Sequence, residues 1–368
     1  MTSKIQLLGL SLAALQQLCD REGMPRYAAR QMADWLYVKR VEEIDAMTNL
    51  SLKHRRRLNE IAYVGRHAPI RCQVSNDGTR KYLFDTPSTG NSHLIEAVFI
   101  PEADTTAPSG GAGGGLGSRP RATLCVSCQA GCRMGCRFCA TGQQGFHGNL
   151  SAADILNQIF SIPECDRLTN IVYMGMGEPM DNLDAVLAST QALTAPWGLA
   201  WSPHRITVST VGVIPGLRRF LDESQCHVAV SLHNAVAAER QDIMPMQKAH
   251  PIADVVALLR QYDWSGQRRI SFEYTMFRGM NDDTAHAAEL VRLLRGLPCR
   301  VNLIRFHPSP GMPYMTAAPR AIQQFADYLN SHGVICTLRA SRGEDIMAAC
   351  GLLAGSSPRT NTSPSATS

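Results

Sequence analysis

The sequence lacks any stretch that is long and apolar enough to cross a membrane. No run approaches the roughly 20 uninterrupted apolar residues that a spanning helix needs. The first ten residues are also too polar for the hydrophobic part of a signal peptide. These absences predict a folded protein of the cytoplasm with no membrane partner. Charge is nearly balanced, because 36 lysines and arginines face 31 aspartates and glutamates, and the resulting +5 decides nothing about partners by itself.

A second pair of closely spaced cysteines, which would complete a structural zinc site, is also missing. The stretch CQAGCRMGCRFCATG contains Cys132, Cys136 and Cys139 in the spacing C-x3-C-x2-C. A closed zinc site needs four protein ligands, often from two C-x2-C pairs, although Cys128 or His147 is available as a fourth. In a reducing compartment the twelve cysteines favour metal or catalytic roles over disulfides. Three soft thiolates on one loop also suit an iron–sulfur centre that keeps one iron open.

Apolar periodicity predicts two parts of different architecture. From Ser11 to about Ala62 the apolar residues recur at helical spacing, which predicts a small helical domain. Two β-type runs, KYLFDT and HLIEAVFIP, then precede a glycine-rich stretch at 104–119 that predicts a flexible loop. From ATLCVS onward, seven apolar strand segments alternate with amphipathic helical ones, one of which begins with a capping box of Ser151 and Asp154. This alternation predicts a parallel sheet, either doubly wound or a barrel.

The position of the three cysteines, directly after the first strand of this alternation, resembles the radical S-adenosylmethionine (SAM) superfamily. That resemblance implies a [4Fe–4S] cluster on Cys132, Cys136 and Cys139, with SAM bound to the open iron. The segment YMGMGEPMDN ends the next strand and is similar to the Gly-Glu pair that holds the SAM amino group, here Gly177 and Glu178. A dinucleotide-binding G-x-G-x-x-G would need glycine where the sequence has methionine, so that interpretation is weak.

Longer motifs narrow the resemblance to one family within this superfamily. The chain is similar, from about Leu7 to Gly355, to the RlmN family of adenine C2 RNA methyltransferases in the segments LLGLSLAALQQL, WLYVKRVEEIDAMTNLS, LCVSCQAGC, TGQQGF, ITVSTVGVIPG, VAVSLHNA and SRGEDIMAACGLLAG. The family implies methylation of large-subunit ribosomal RNA and of transfer RNA next to the anticodon. It also implies two SAM molecules per turnover, an electron donor such as flavodoxin, and a monomer.

The fold that this resemblance implies is α/β. We expect a helical accessory domain at 1–80, strands and the glycine-rich loop at 81–121, a partial (β/α)6 barrel of the TIM type at 122–355, and a disordered tail at 356–368.

Three further residues acquire catalytic roles through the resemblance. Cys350 matches the cysteine that one SAM methylates, and whose methyl group becomes a radical that adds to C2. Cys125 matches the thiol that releases the product by forming a transient disulfide with Cys350. Glu96 matches the carboxylate that accepts a proton. Cys128 and Cys336 receive no role and are expected to be buried thiols.

The remaining contacts also follow from the resemblance. Further SAM contacts are expected at Ser209, Ser231, Leu232 and His233. His307 stands where many relatives have asparagine, and both side chains can make the same kind of hydrogen bond. In the helical domain an RNA substrate favours phosphate contacts for the basic run 55–57, which is otherwise a solvated helix face.

Three alternatives remain at the level of the sequence. A relative within the superfamily methylates adenine at C8, and the position attacked depends on how the base is held. A zinc-stabilised RNA-binding module would use the cysteines only for structure. A glycyl-radical activating enzyme would bind the same cofactors but would have no need of Cys125 and Cys350.

Overall fold

The computed structural model describes residues 4–86, 89, 93–102, 120–308 and 311–354. The stretches at 104–119 and 356–368, for which the sequence predicts a flexible loop and a disordered tail, lie outside these ranges. Among the helices inside them, none combines the length and the apolar character that crossing a membrane requires.

The first part of the chain is helical, as its periodicity predicts. Its elements are β1 (Ile5–Gln6), α1 (Leu12–Arg21), α2 (Tyr27–Ala33), a π-helical turn (Asp34–Val38), a 3-10 turn (Ile44–Ala46), α3 (Leu52–Ile61) and β2 (Ala62–Tyr63). Serines begin α1 and α3, because Ser11 and Ser51 each accept a hydrogen bond of 3.2 Å from a backbone N–H of the first turn. Strands β1 and β2 pair in parallel and tie the two ends of this part together.

The remaining strands build one large sheet and one small hairpin. In chain order they are β3 (Arg71–Val74), β4 (Arg80–Thr86), β5 (His93–Pro101), β6 (Ala122–Cys125), β7 (Gln129–Gly131), β8 (Phe146–Asn149), β9 (Asn170–Tyr173), β10 (Ile206–Thr210), β11 (His227–Ser231), β12 (Ile270–Met276), β13 (Cys299–Arg305) and β14 (Ile335–Leu338). Within the described ranges the large sheet has ten strands in the order β14-β13-β12-β11-β10-β9-β6-β5-β4-β3. Strands β6 and β9 to β14 pair in parallel, whereas β3 to β6 pair antiparallel.

Helices cross over between successive parallel strands. They are α4 (Ala140–Gln143), α5 (Ala152–Phe160), α6 (Leu183–Thr194), α7 (Ile214–Glu223), α8 (Ala237–Ile243), α9 (Ile252–Leu259), α10 (Thr284–Leu294) and α11 (Pro319–Ser331). Each of the seven predicted strand segments contains one of the parallel strands, and the predicted capping box of Ser151 and Asp154 is present at α5. The structure therefore confirms the predicted α/β class and the partial barrel.

Strand β3 is the main element that sequence patterning misses. Its residues are mostly exposed, because it lies at one edge of the sheet, so the strand shows no buried face to read. It pairs with β4, and the domain limit that we propose at residue 80 falls on the first residue of β4.

The helical part packs directly against the barrel. Tyr37 is fully buried, and its ring centroid lies 5.4 Å from that of Trp197 and 6.5 Å from that of Phe160 in α5. Its hydroxyl donates a hydrogen bond to the Leu10 carbonyl at 2.5 Å. Aromatic packing thus fixes the helical part on one side of the barrel.

Candidate active site

A cavity opens at the carboxyl ends of the central parallel strands. It contains about 1070 Å³ of atom-free space, part of which is open to solvent. Nine of the thirteen predicted site residues line it: Cys132, Cys136, Cys139, Gly177, Glu178, Ser209, Ser231, His233 and Cys350. The fold therefore brings the three-cysteine motif, the Gly-Glu pair and the C-terminal cysteine to one place.

The residues from Cys132 to Cys139, here called the cysteine loop, are held by the surrounding backbone. Cys132 N–H donates to the Gly145 carbonyl at 2.8 Å, and Arg137 N–H donates to the Ile243 carbonyl at 2.9 Å. Burial raises the pKa of Cys132 to about 12 and raises that of Cys136 well above its usual value. Ionised thiolates are costly at such positions unless a cationic centre compensates them, and soft thiolates around one cavity fit an iron–sulfur cluster.

Neither candidate for a fourth zinc ligand reaches the cavity lining. Cys128 is buried behind it, and its carbonyl accepts hydrogen bonds from Leu150 N–H and from the Asn182 side chain. His147 stacks on His93 with 4.8 Å between the ring centroids and lines a different, smaller cavity. Across the described ranges, no three histidine, cysteine, aspartate or glutamate side chains are grouped closely enough to hold a single metal ion.

Gly177 and Glu178 occupy the turn that follows β9. Gly177 has φ +99°, and a Cβ there would lie 2.5 Å from the Gln129 Cβ, so this position requires glycine. The Glu178 carboxylate accepts hydrogen bonds from Met180 N–H at 3.0 Å and from Val211 N–H at 2.9 Å. Burial nevertheless raises the pKa of Glu178 to about 7. An amino group that entered the cavity would favour the charged form of this carboxylate.

The segment after β11 contributes a neutral histidine to the cavity. His233 has φ +55°, and its Nδ1 accepts a hydrogen bond from Thr275 N–H at 2.9 Å. Burial lowers the pKa of His233 to about 3, so the ring stays uncharged at neutral pH. Ser231, the last residue of β11, also lines the cavity, as does Ser209 near the end of β10. Leu232 does not line the cavity, because its side chain is fully buried behind it.

Cys350 is carried by residues Gly343–Ala354, here called the C-terminal segment. The turn between β3 and β4 holds one end, where Gly343 N–H donates to Asp77 Oδ2 at 2.9 Å and Asp345 accepts from Ser75 Oγ at 2.5 Å. At the other end the Leu353 carbonyl accepts from Thr141 Oγ1 at 2.6 Å. Cys350 lies between these two attachments and is exposed.

Cys125 is the last residue of β6. Both it and Cys350 are free thiols, but Cys125 is buried and Cys350 is exposed. Burial raises the pKa of Cys125 to about 12, and the nearby Cys350 adds to this effect while Arg339 opposes it. Arg339 and Glu273 line the cavity together with Cys350, and Arg339 Nη1 lies 3.3 Å from Glu273 Oε2. An ion pair between the buried Glu273 and the partly exposed Arg339 thus lies beside the two predicted catalytic cysteines.

Glu96 and His307 lie outside the lining of this cavity. Glu96 is buried in β5, where it pairs with Lys81 Nζ at 3.2 Å and accepts a hydrogen bond of 2.9 Å from Ala354 N–H. It therefore contacts the C-terminal segment directly. His307 lines a second cavity that also reaches Cys350, and its Nε2 lies 2.7 Å from Ser341 Oγ. Burial lowers the pKa of His307.

Sequence reasoning misses three polar residues of this site. Gln129 joins the Gly-Glu turn to Asp181, since its Oε1 accepts from Glu178 N–H at 2.8 Å and its Nε2 donates to Asp181 Oδ2 at 2.7 Å. Glu273 and Arg339 form the ion pair beside Cys350. Gln129 lies inside the cysteine-rich stretch, so a sequence motif could have indicated it. Glu273 and Arg339 lie in predicted strand segments, where the only signal is the apolar pattern.

Comparison with known proteins defines the class first. Residues 126–291 match the family model for the radical SAM superfamily, and residues 5–64 match that for the ribosomal RNA large subunit methyltransferase N-terminal domain. The fold is similar to a crystal structure of a radical SAM methyltransferase from Sphaerobacter thermophilus, with a TM-score of 0.84 and 38% identity over 96% of this chain and 100% of that one. The protein is thus a SAM-dependent RNA methyltransferase of the radical type.

Curated relatives then give the particular family. The probable dual-specificity RNA methyltransferase RlmN of Bacteroides thetaiotaomicron is 53% identical over 353 residues, which cover 96% of this chain and 97% of the relative. The dual-specificity RNA methyltransferase RlmN of Halorhodospira halophila is 40% identical over 95% of this chain and 94% of its own length. The chain belongs to the RlmN family. This confirms the predicted resemblance and removes the zinc-stabilised module and the activating enzyme as descriptions of the chain.

Proposed function

We propose that this enzyme methylates C2 of adenine in large-subunit ribosomal RNA and in transfer RNA next to the anticodon. The observation that carries the proposal is the position of Cys350, which lines one cavity with all three cysteines of the cysteine loop. Adenine C2 is an electron-poor aromatic carbon, so it does not attack the methyl group of SAM as a nucleophile. A thiol placed between a radical source and the substrate solves this problem, and the names of the curated relatives agree with both RNA classes.

Cys132, Cys136 and Cys139 would hold the cluster, and Gly177, Glu178, Ser209, Ser231 and His233 would contact SAM. Leu232, which lies behind the cavity lining, would not contact SAM directly. When bound, these groups supply a 5′-deoxyadenosyl radical, with an electron from a donor such as flavodoxin. His307 is the less direct contact, because it lies in the second cavity. Supporting the assignment of Glu178, its carboxylate faces the cavity, and an amino group there would stabilise its charge.

Cys350 carries the methyl group between SAM and RNA. Its sulfur first displaces S-adenosylhomocysteine from one SAM, which forms an S–CH3 bond. The methyl group would then give a hydrogen atom to the 5′-deoxyadenosyl radical, which leaves as 5′-deoxyadenosine. The resulting carbon radical would bond to C2 and link the protein to the RNA. The exposure of Cys350 supports this role, because the thiol must meet both a bound cofactor and a large substrate.

Cys125 and Glu96 complete the reaction. The adduct would lose the C2 proton to Glu96 together with one electron, which the oxidised iron–sulfur centre would accept. The Cys125 thiolate attacks the Cys350 sulfur, so that an S–S bond forms while the S–C bond breaks, and its electron pair stays on the product carbon, which takes up a proton. A thiol reductant then restores both cysteines. The charge interaction between Cys125 and Cys350, and the contact of Glu96 with Ala354, support these roles.

The basic run of α3 would contact RNA with only part of its length. Arg55 donates to the Asp45 carbonyl at 2.8 Å, and Arg57 pairs with Glu22 and Glu60, so both are engaged within the helical part. Lys53 and Arg56 are exposed and make no ion pair with any described residue. We therefore assign the phosphate contacts of this run mainly to Lys53 and Arg56.

The test is anaerobic methylation of RNA from a strain that lacks the endogenous enzyme, with the reconstituted protein and SAM labelled in its methyl group. We expect labelled 2-methyladenosine with the wild-type protein and none with Cys350→Ala, whereas Cys72→Ala, which changes another exposed cysteine, keeps full activity. Cys125→Ala should accumulate a covalent protein–RNA adduct, and Cys128→Ala, its buried neighbour, should not. Label at C8, or methylation that survives Cys350→Ala, would overturn the proposal.

A further inference from the structure

Arg240 of α8 is fully buried and is the largest side chain in the described ranges to be so. Its guanidinium donates four hydrogen bonds: Nε to the Leu232 carbonyl at 3.0 Å, Nη1 to Gln247 Oε1 at 2.7 Å, and Nη2 to the Val211 carbonyl at 2.9 Å and the Ser231 carbonyl at 3.0 Å. All four acceptors are neutral oxygens. The side chain is therefore well bonded, but its positive charge is not balanced by these partners.

A buried charge of this kind normally has a counterion. The ion pairs found among the described residues include no carboxylate for Arg240, although they include one for Arg339, a partly exposed arginine of the site. Removing a guanidinium from water without an opposite charge is unfavourable, and hydrogen bonds to neutral carbonyls offset this only in part. A compensating negative charge must then come from nearby.

The cysteine loop packs against α8, the helix that carries Arg240. Arg137 N–H donates to the Ile243 carbonyl at 2.9 Å, one turn beyond Arg240, and Cys136 packs in one apolar cluster with Ile243 and Met244. Three thiolates outweigh the positive charge of an oxidised [4Fe–4S] cluster, and reduction makes the centre more negative.

We propose that Arg240 is a positioning residue whose charge balances the anionic cluster centre and whose hydrogen bonds fix the segments that contact SAM. This inference rests on the proposed placement of the cluster on the cysteine loop. The Arg240 guanidinium donates to the carbonyl of Val211, and the N–H of Val211 donates to Glu178 Oε2. The guanidinium also donates to the carbonyls of Ser231 and Leu232. One side chain thus joins the ends of β10 and β11 to the helix that supports the cysteine loop.

Two substitutions separate charge from geometry. Arg240→Lys keeps the charge but loses the planar fork, whereas Arg240→Gln loses the charge. Arg268 is the control, because this half-buried arginine also donates to backbone carbonyls, those of Cys226 and Leu221, but lies near the amino end of β12 and away from the cavity. Arg268→Lys and Arg268→Gln report the general cost of changing such an arginine.

The measurements are made on reconstituted protein: iron content, reduction potential from a titration followed by electron paramagnetic resonance, and the Kd for SAM. We expect a lower potential in Arg240→Gln but not in Arg240→Lys, and a Kd for SAM at least about tenfold higher in both, because each loses hydrogen bonds from a charged donor. The Arg268 variants should retain wild-type potential and Kd.

A wild-type potential in folded, cluster-loaded Arg240→Gln would overturn the charge role, and a wild-type Kd in Arg240→Lys would overturn the positioning role. If Arg240→Gln does not fold, Arg240→Lys alone tests both roles. Its Kd for SAM tests the positioning role. Its reduction potential tests the charge role, because a potential that falls although the charge is retained would contradict that role. Failure of the wild-type protein to take up a cluster would instead refute the proposed function.

Discussion

Two cysteine-bearing segments meet at one cavity and are held in different ways. The cysteine loop is anchored by backbone hydrogen bonds to Gly145 and to the end of α8, and its Cys136 is buried. The C-terminal segment is anchored mainly by side chains at its two ends, Asp77 and Thr141 among them, and by one backbone bond from Ala140 N–H to the Gly351 carbonyl, and its Cys350 is exposed. A cofactor ligand needs a fixed position, whereas a thiol that passes a methyl group to RNA needs access. The following predictions test this difference, from the largest expected effect to the smallest.

Cysteine substitutions should divide the reaction into two parts. Cys136→Ser should lose the cluster and therefore all SAM cleavage, because it removes one of the three proposed cluster ligands. Cys350→Ala should keep wild-type iron content and SAM cleavage but form no methylated RNA. Iron analysis and chromatography of 5′-deoxyadenosine measure the first part, and mass spectrometry of nucleosides measures the second. Equal iron loss in both variants would contradict the division.

Gly177→Ala should weaken SAM binding at least about tenfold, since the backbone has φ +99° and the new methyl group would lie 2.5 Å from Gln129 Cβ. Gly279→Ala is the control, because Gly279 also has a positive φ of +68° but open space around its Cβ position. Both variants should lose about 1–2 kcal/mol of stability from left-handed strain, measured by denaturant unfolding. Only the first should change the Kd for SAM.

The affinity for SAM should depend on pH through Glu178. Its pKa is raised to about 7 by burial, so the fraction of charged carboxylate falls as the pH is lowered. If SAM binds the charged form, the affinity should fall about fivefold between pH 7 and pH 6. Calorimetric titrations of wild type and Glu178→Gln measure this, and the glutamine variant should bind weakly with no such slope. A slope of the same size in both proteins would assign it to another group.

Loosening the C-terminal segment should have the smallest effect. Asp77→Ala removes the acceptor for Gly343 N–H, a hydrogen bond worth about 1 kcal/mol. We expect RNA methylation to slow roughly fivefold while SAM cleavage stays unchanged. Hydrogen exchange at residues 343–354 should become faster than in the wild type, whereas exchange at residues 132–139 should not change. Slower SAM cleavage would mean that the two segments are coupled rather than separately held.

Much of the fold could be predicted from local patterns. The parallel strands are apolar runs of the right length, and Ser151 with Asp154 starts a helix by a short-range hydrogen-bond pattern. Strand β3 could not be predicted, because an exposed edge strand has no apolar face. Arg240 gave no signal either, since an arginine in an amphipathic helix usually faces solvent and here it is fully buried.

By itself the sequence determined the order of strands and helices, the cysteine spacing and the family, because each depends on residues close together in the chain or on motifs read one by one. Only the tertiary structure decided which distant residues share the site: Thr141 contacts the Leu353 carbonyl across 212 residues, and Glu96 contacts Ala354 across 258. Such contacts depend on the order of strands in the sheet and on which side chains become buried against one another. Neither the strand order nor the set of buried neighbours is encoded at any single position.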